Sequence, residues 1–294
     1  MGLIFAFVNG VFKYEGEYIM MKKKLMIAML MAGLLVGAKT TSVYAVDQHF
    51  VLGDEAYTLP DGGREFDSSM HLEHDPGNDG YSFSHDLLYG VNDRLQLDLT
   101  LSRWSLTRVD AGGTSEVADL GTSAPSADSE GSGSQTDASW NSAGVGFGYT
   151  LSDPRKEAYG AALFGNVQIG DKVVVLEGMF AFEKITGPVT LLYNGGIDAE
   201  WTGDNLGNLN NQAGEINQFL GLSYTVGGGF SVGAEVLYEI SLTEWSDPQN
   251  GVFLGPNVHF QNDRFFATAA VLWQLTNNSE FEDLQVGVRG GIRF

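Results

Sequence analysis

The last thirteen residues, Glu282-Asp283-Leu284-Gln285-Val286-Gly287-Val288-Arg289-Gly290-Gly291-Ile292-Arg293-Phe294, decide the fold. In an extended chain Leu284, Val286, Val288, Gly290, Ile292 and Phe294 share one face, while Asp283, Gln285, Gly287, Arg289, Gly291 and Arg293 share the other. A two-residue period of this kind belongs to a strand with a different environment on each side. The stretch closes on an aromatic residue.

Working back from it, the same alternation marks segments near 64–75, 80–91, 95–104, 139–151, 157–169, 172–184, 188–201, 214–226, 230–242, 252–261 and 264–275, about twelve strands with the last. Every second connection is tight, at 92–94, 152–156, 185–187, 227–229 and 262–263, whereas 105–138, 202–213 and 243–251 are longer. Short turns at one end and longer loops at the other are the habit of outer-membrane barrels, whose short turns are periplasmic. The expected fold is all-β: a transmembrane antiparallel up-and-down β-barrel of about 12 strands with both ends on the short-turn side.

Composition agrees. Gly is 39 residues, Pro 7 and aromatics 12 %, a mixture suited to strands and turns. Outside the N-terminal region no run approaches the ~20 apolar residues of a spanning helix, so a spanning structure here has to be a barrel. Lys22, Lys23 and Lys24 precede an apolar stretch at 25–38 and small residues ending at Ala45, which predicts a signal peptide over 1–45 with Met20 or Met21 as the start. A periplasmic segment 46–63 is expected to follow, then the barrel over 64–294 with an extracellular loop at 105–138. Losing the leader removes five Lys and two Glu and moves the net charge from -21 to -24, a charge that repels nucleic acid. There is no Cys, which excludes disulfides and thiolate chemistry.

The polar face carries Glu65, Asp67, His71, Glu73, Asp86 and Asp98, then Glu177, Asp198, Glu235 and Glu239, and finally Arg289 and Arg293. These are the expected lumen lining. So acidic a lumen should favour cations or neutral solutes over anions. Arg289 and Arg293 are the only arginines this alternation turns inward, and closure of the last strand on the first would set them beside Glu65, Asp67 and Glu73 in contact with lumen water. On the apolar face, Tyr89, Tyr149, Tyr159, Phe182, Tyr224, Phe230, Phe260, Phe265 and Phe294 gather near the short turns, and Trp201, Tyr238 and Trp273 near the loops, as two girdles. Phe294 is the expected assembly signal.

A first hairpin turning over 76–79 would pair Met70 with His85, Leu72 with Phe83 and Phe66 with Tyr89 outside, and His71 with Ser84 and Glu73 with Ser82 inside. His71 and Ser84, with Ser102 and Asp86 nearby, have the residue types of a hydrolase. The His71-x-Glu73-His74 cluster fails as a metal site because His74 points the opposite way along a strand. No metal or cofactor is called for. The acids Asp110, Glu116, Asp119, Asp128, Glu130 and Asp137 of the long Ser/Gly-rich loop read as solvated.

Leu59-Pro60-Asp61-Gly62, Tyr89-Gly90-Val91-Asn92-Asp93-Arg94-Leu95, Glu183-Lys184-Ile185-Thr186-Gly187-Pro188, Gly233-Ala234-Glu235 and Leu254-Gly255-Pro256 follow one another in an order that resembles a bacterial outer-membrane family. That family is named for transport in the MetA pathway of phenol degradation. The resemblance implies a barrel passing small molecules, aromatic compounds among them, and carries over no catalytic residue. Three functions stay open: a passive channel for small solutes, which the loop 105–138 or the N-terminal segment 46–63 could block, a hydrolase using His71 and Ser84, or a structural or surface-binding barrel with a plugged lumen. The expected partners are outer-membrane lipid, lipopolysaccharide, the barrel-assembly machinery and small-molecule solutes.

Overall fold

The computed structural model describes residues 48–75, 78–109, 135–243 and 245–294. The expected signal peptide and most of the long loop lie outside them. The described residues form twelve strands: β1 (Arg64–Asp75), β2 (Asn78–Asn92), β3 (Leu95–Val109), β4 (Gln135–Ser152), β5 (Gly160–Ile169), β6 (Val173–Thr186), β7 (Val189–Asn205), β8 (Asn208–Gly227), β9 (Phe230–Thr243), β10 (Ser246–Gln261), β11 (Phe265–Gln274) and β12 (Leu284–Arg293). Each pairs antiparallel with its sequence neighbours, and β12 pairs with β1 to close the barrel. Closure leaves no sheet edge unpaired, the condition a sheet must meet inside lipid.

The outer surface is apolar and open. Val145, Ile197 and Leu222 are each at least half exposed, which suits lipid and would be an aggregation hazard in water. Near the short turns the aromatics pack on one another: Tyr159 stacks on Phe182 at 5.5 Å, Phe260 lies 4.5 Å from Phe230 and 5.4 Å from Phe265, and Arg64 sits over Tyr89. The turn after β8 is built from Gly227, Gly228 and Gly229, all with positive φ, which glycine adopts without steric cost.

Several strands outrun the alternation that announced them. β7 and β8 continue to Asn205 and from Asn208, so 202–213 is mostly hairpin rather than loop. β9 and β10 likewise pair up to Thr243 and Ser246, and β3 and β4 pair from Val109 to Gln135, which shrinks the 105–138 loop at both ends. Hydropathy alternates only where one face meets lipid, whereas backbone pairing persists beyond it.

The first hairpin has the expected faces and a different register. Met70 opposes Phe83, Leu72 opposes Tyr81, Phe66 opposes Leu87 and His71 opposes Ser82. Every pair is displaced by two residues, and the pairing runs on to Asp75 opposite Asn78. A two-residue displacement keeps each side chain on its face, so the face pattern cannot detect it.

Candidate functional site

The interior is not an empty lumen. Residues 48–63, expected in the periplasm, run through the barrel as an arch. At one foot, the Thr268 hydroxyl donates to the Gln48 carbonyl (2.6 Å). At the crown, the Val51 N–H donates to Glu235 Oε1 (3.0 Å). The segment then descends past Asn194, which accepts from Asp54 N–H (3.0 Å), Glu183, which accepts from Ala56 N–H (3.0 Å), and Gln96, which accepts from Leu59 N–H (3.0 Å). Chain without a ladder must satisfy its backbone groups some other way, and here wall side chains do so.

Phe50 anchors the crown. It is fully buried among Leu192, Phe219, Leu237, Phe253 and Leu272, with Leu52 and Phe281 against the cluster. These wall residues sit on the inward, otherwise polar face, where they break the alternation. Gly221 faces Phe50 so closely that a Cβ there would overlap its ring.

At the β1–β12 seam Arg293 Nε donates to Glu65 Oε2 (2.7 Å), and Arg289 Nε donates to Asp67 Oδ2 (2.6 Å). Arg289 also reaches Asp54 of the arch (2.8 Å), fastening wall and segment with one guanidinium. Contact with lumen water is not what the structure shows for the seam: Glu65 is 1 % and Asp67 3 % exposed beneath the arch. Asp86 accepts from the Ser84 hydroxyl (2.7 Å), and Asp98 lies among Asp86, Asp54, Asp67 and the Arg289 guanidinium.

On the loop side of the arch are the remaining acids. Glu177 accepts from Arg103 (3.0 Å) and Gln168 (2.8 Å), and Asp198 accepts from Asn217 (3.3 Å). His71 Nδ1 lies 3.8 Å from Glu73, and Gln285 Nε2 lies 3.4 Å from Glu239. Arg103 is a third inward arginine. Strict alternation turns it outward, but the β3–β4 register shifts between Thr100 and Arg103, and such an irregularity reverses the faces beyond it.

The hydrolase constellation does not assemble. Ser84 opposes Ser69 and donates to Asp86, not to His71, so no imidazole is placed to take its proton. Phe294 extends from the short-turn rim, 67 % exposed, its N–H bonded to the Arg64 carbonyl (3.1 Å).

A closed antiparallel barrel with an apolar belt, aromatic girdle and polar interior is an outer-membrane β-barrel, and the chain belongs in the bacterial outer membrane. A model described as "Family of unknown function (DUF6662)" matches residues 188–290. No curated protein matches the chain. Among solved structures, the COG4313 outer membrane channel from Pseudomonas putida F1 aligns at TM-score 0.56 with 14 % identity, covering 83 % of this chain and 100 % of that one. The NanC porin (TM-score 0.46, 7 % identity, 78 % and 98 % covered) and the KdgM porin in complex with disordered oligogalacturonate (0.42, 8 %, 78 % and 98 %) are more distant. The first of these shares the barrel fold. The phenol-degradation name appears in none of those cited.

Proposed function

We propose that the protein is a passive outer-membrane channel for small molecules, closed at rest by residues 48–63 and preferring cationic and neutral solutes to anions. The observation that carries this is how the arch is held. From Gln48 to Leu59 its backbone N–H groups donate to, and its carbonyls accept from, side chains on separate strands, and backbone pairing with the sheet begins only at Gly62 and Gly63, opposite Gly90. Each such bond is worth about 0.5–1.5 kcal/mol net, or about 1.5–3 kcal/mol to the Glu183 and Glu235 carboxylates, and Phe50 and the Arg289–Asp54 pair add local anchors, so we take the arch to detach in parts while the sheet stays intact. A barrel of this size has room for a small solute once its contents move aside. The excess of Glu and Asp along the wall supports the charge preference, since low-dielectric walls concentrate such a field. The family resemblance extends the solute range to small aromatic compounds.

Planar-bilayer recording across a KCl gradient tests the proposal. Discrete current steps with a cation-selective reversal potential are expected, and a deletion of residues 48–58 should raise the unit conductance several-fold. Anion selectivity, or silence from both folded proteins, would refute it.

A further inference from the structure

The arch sits in the barrel as a bound peptide would, and the wall reads its backbone as well as its side chains. Around Phe50 three contacts converge. The ring lies in a socket of Leu192, Phe219, Leu237, Phe253 and Leu272, edge-on to Phe219 at 5.7 Å. The carbonyl on its N-terminal side, that of His49, accepts from the Asn257 amide (3.4 Å), and the N–H on its C-terminal side, that of Val51, donates to Glu235 Oε1 (3.0 Å). Asn257 Nδ2 also donates to that oxygen (2.8 Å), which fixes the two polar groups against each other across β9 and β10. Four residues beyond Phe50, Asn194 holds both backbone groups of Asp54: its Oδ1 accepts from the N–H (3.0 Å) and its Nδ2 donates to the carbonyl (2.9 Å).

Filling a lumen needs only bulk. These contacts specify more: a carbonyl, an aromatic side chain and an N–H, in the order and spacing of one residue in a peptide. The wall leaves room for the ring where Gly221 faces it, since a Cβ there would overlap the Phe50 ring.

We infer that this socket is a binding site for short peptides containing an aromatic residue, and that residues 49–54 occupy it as a tethered stand-in for such a solute. The inference rests on the channel proposal for the departure of the arch and names a solute class for that channel. A hydrocarbon ring alone would fill the socket but cover Glu235 and Asn257 without pairing them, which is costly. A peptide restores each bond that the arch gives up. The tether holds the arch at an effective concentration on the order of millimolar, so a free peptide competes poorly until the anchor is weakened.

Ligand-observed saturation-transfer NMR on the refolded protein in detergent tests this, with N-acetyl-L-phenylalanine methylamide as the probe. Its acetyl carbonyl, ring and methylamide N–H match the groups of His49, Phe50 and Val51. The D enantiomer, which enters micelles equally, and the L methyl ester, which lacks only that N–H, are the controls. Saturable binding of the L amide to the Phe50→Ala protein is expected, at least tenfold tighter than to the unaltered chain, with both controls at least tenfold weaker. In the double variant Phe50→Ala, Gly221→Ala the arch has no ring for the new methyl to meet, so the barrel should fold, yet the ring of the probe collides and binding should fall at least tenfold. Should Phe50→Ala fail to fold, the unaltered protein serves, with the L amide preferred over the D form at higher probe concentration. Equal binding of the two enantiomers, equal binding of the ester, no gain from Phe50→Ala, or unchanged affinity in the folded double variant would each overturn the inference. Peptide binding in a protein that never conducts keeps the site and refutes the channel. Conduction without peptide binding does the reverse.

Discussion

Removing one partner of the Arg293–Glu65 pair should cost far more than removing both. The two meet at 2.7 Å across the closing seam, with side chains 11 % and 1 % exposed. At that exposure water cannot substitute for the missing partner. Arg293→Met leaves a buried carboxylate, and Glu65→Leu leaves a buried guanidinium, each worth about 3–5 kcal/mol. The double variant replaces both charges by apolar groups of similar size and should lose only about 1–2 kcal/mol, because the desolvation cost disappears with the attraction. The coupling energy should then be about 4 kcal/mol or more, above the roughly 0.5–3 kcal/mol usual for residues in contact. Urea unfolding in lipid vesicles, followed by tryptophan fluorescence and heat-modifiable migration, measures all four proteins. If the double variant equals the sum of the two singles, the residues do not act on each other and the seam is misassigned.

Three further outcomes are expected. Val145, 61 % exposed on the outer face, should cost about 2–4 kcal/mol as Val145→Arg, while the inward Asn217→Lys, near Asp198, should be far milder in the same assay. Deleting Phe294, the terminal aromatic at the short-turn rim, should lower the yield of heat-modifiable barrel in the outer membrane at unchanged synthesis. At the β4–β5 turn, burial would raise the Asp153 carboxyl, but hydrogen bonds from the Arg155 guanidinium and backbone N–H outweigh it and hold it at about 2. Its folded value lies below the unfolded one, so its contribution is fully present above about pH 4 and lost as the pH falls through 2. Allowing for solvent screening it is about 1 kcal/mol, and Asp153→Asn should flatten acid unfolding over that window.

Strand number and closure were legible because lipid imposes a two-residue period on every spanning segment, as in Leu284 to Phe294. The interior was less so. Residues 48–63 have no alternation, since their partners are wall side chains scattered over the barrel, so a sequence such as Gln48-His49-Phe50-Val51-Leu52 leaves a periplasmic connector and a lumen block equally open. Parity fixed the faces of His71 and Ser84 but not their register, which lies two residues from the expected one. Arg103 was turned inward by a strand irregularity that composition does not mark. One signal was available for the buried anchor: Leu192, Phe219, Leu237, Phe253 and Leu272 are apolar residues at inward positions on nearby strands. Together they call for an apolar object inside the barrel, which Phe50 supplies.

The central claim is that residues 48–63 must move for solute to pass. The chain has no Cys, so a single engineered bridge can test this without interference. A Cβ on Gly287 would lie 3.4 Å from that of Val51, close to the roughly 3.5–4.5 Å of a disulfide. The Val51→Cys, Gly287→Cys protein should show low, steady conductance when oxidised and at least tenfold more current once a reductant opens the bridge. Equal conductance before and after reduction, with the cross-link confirmed by mass spectrometry, would contradict the account.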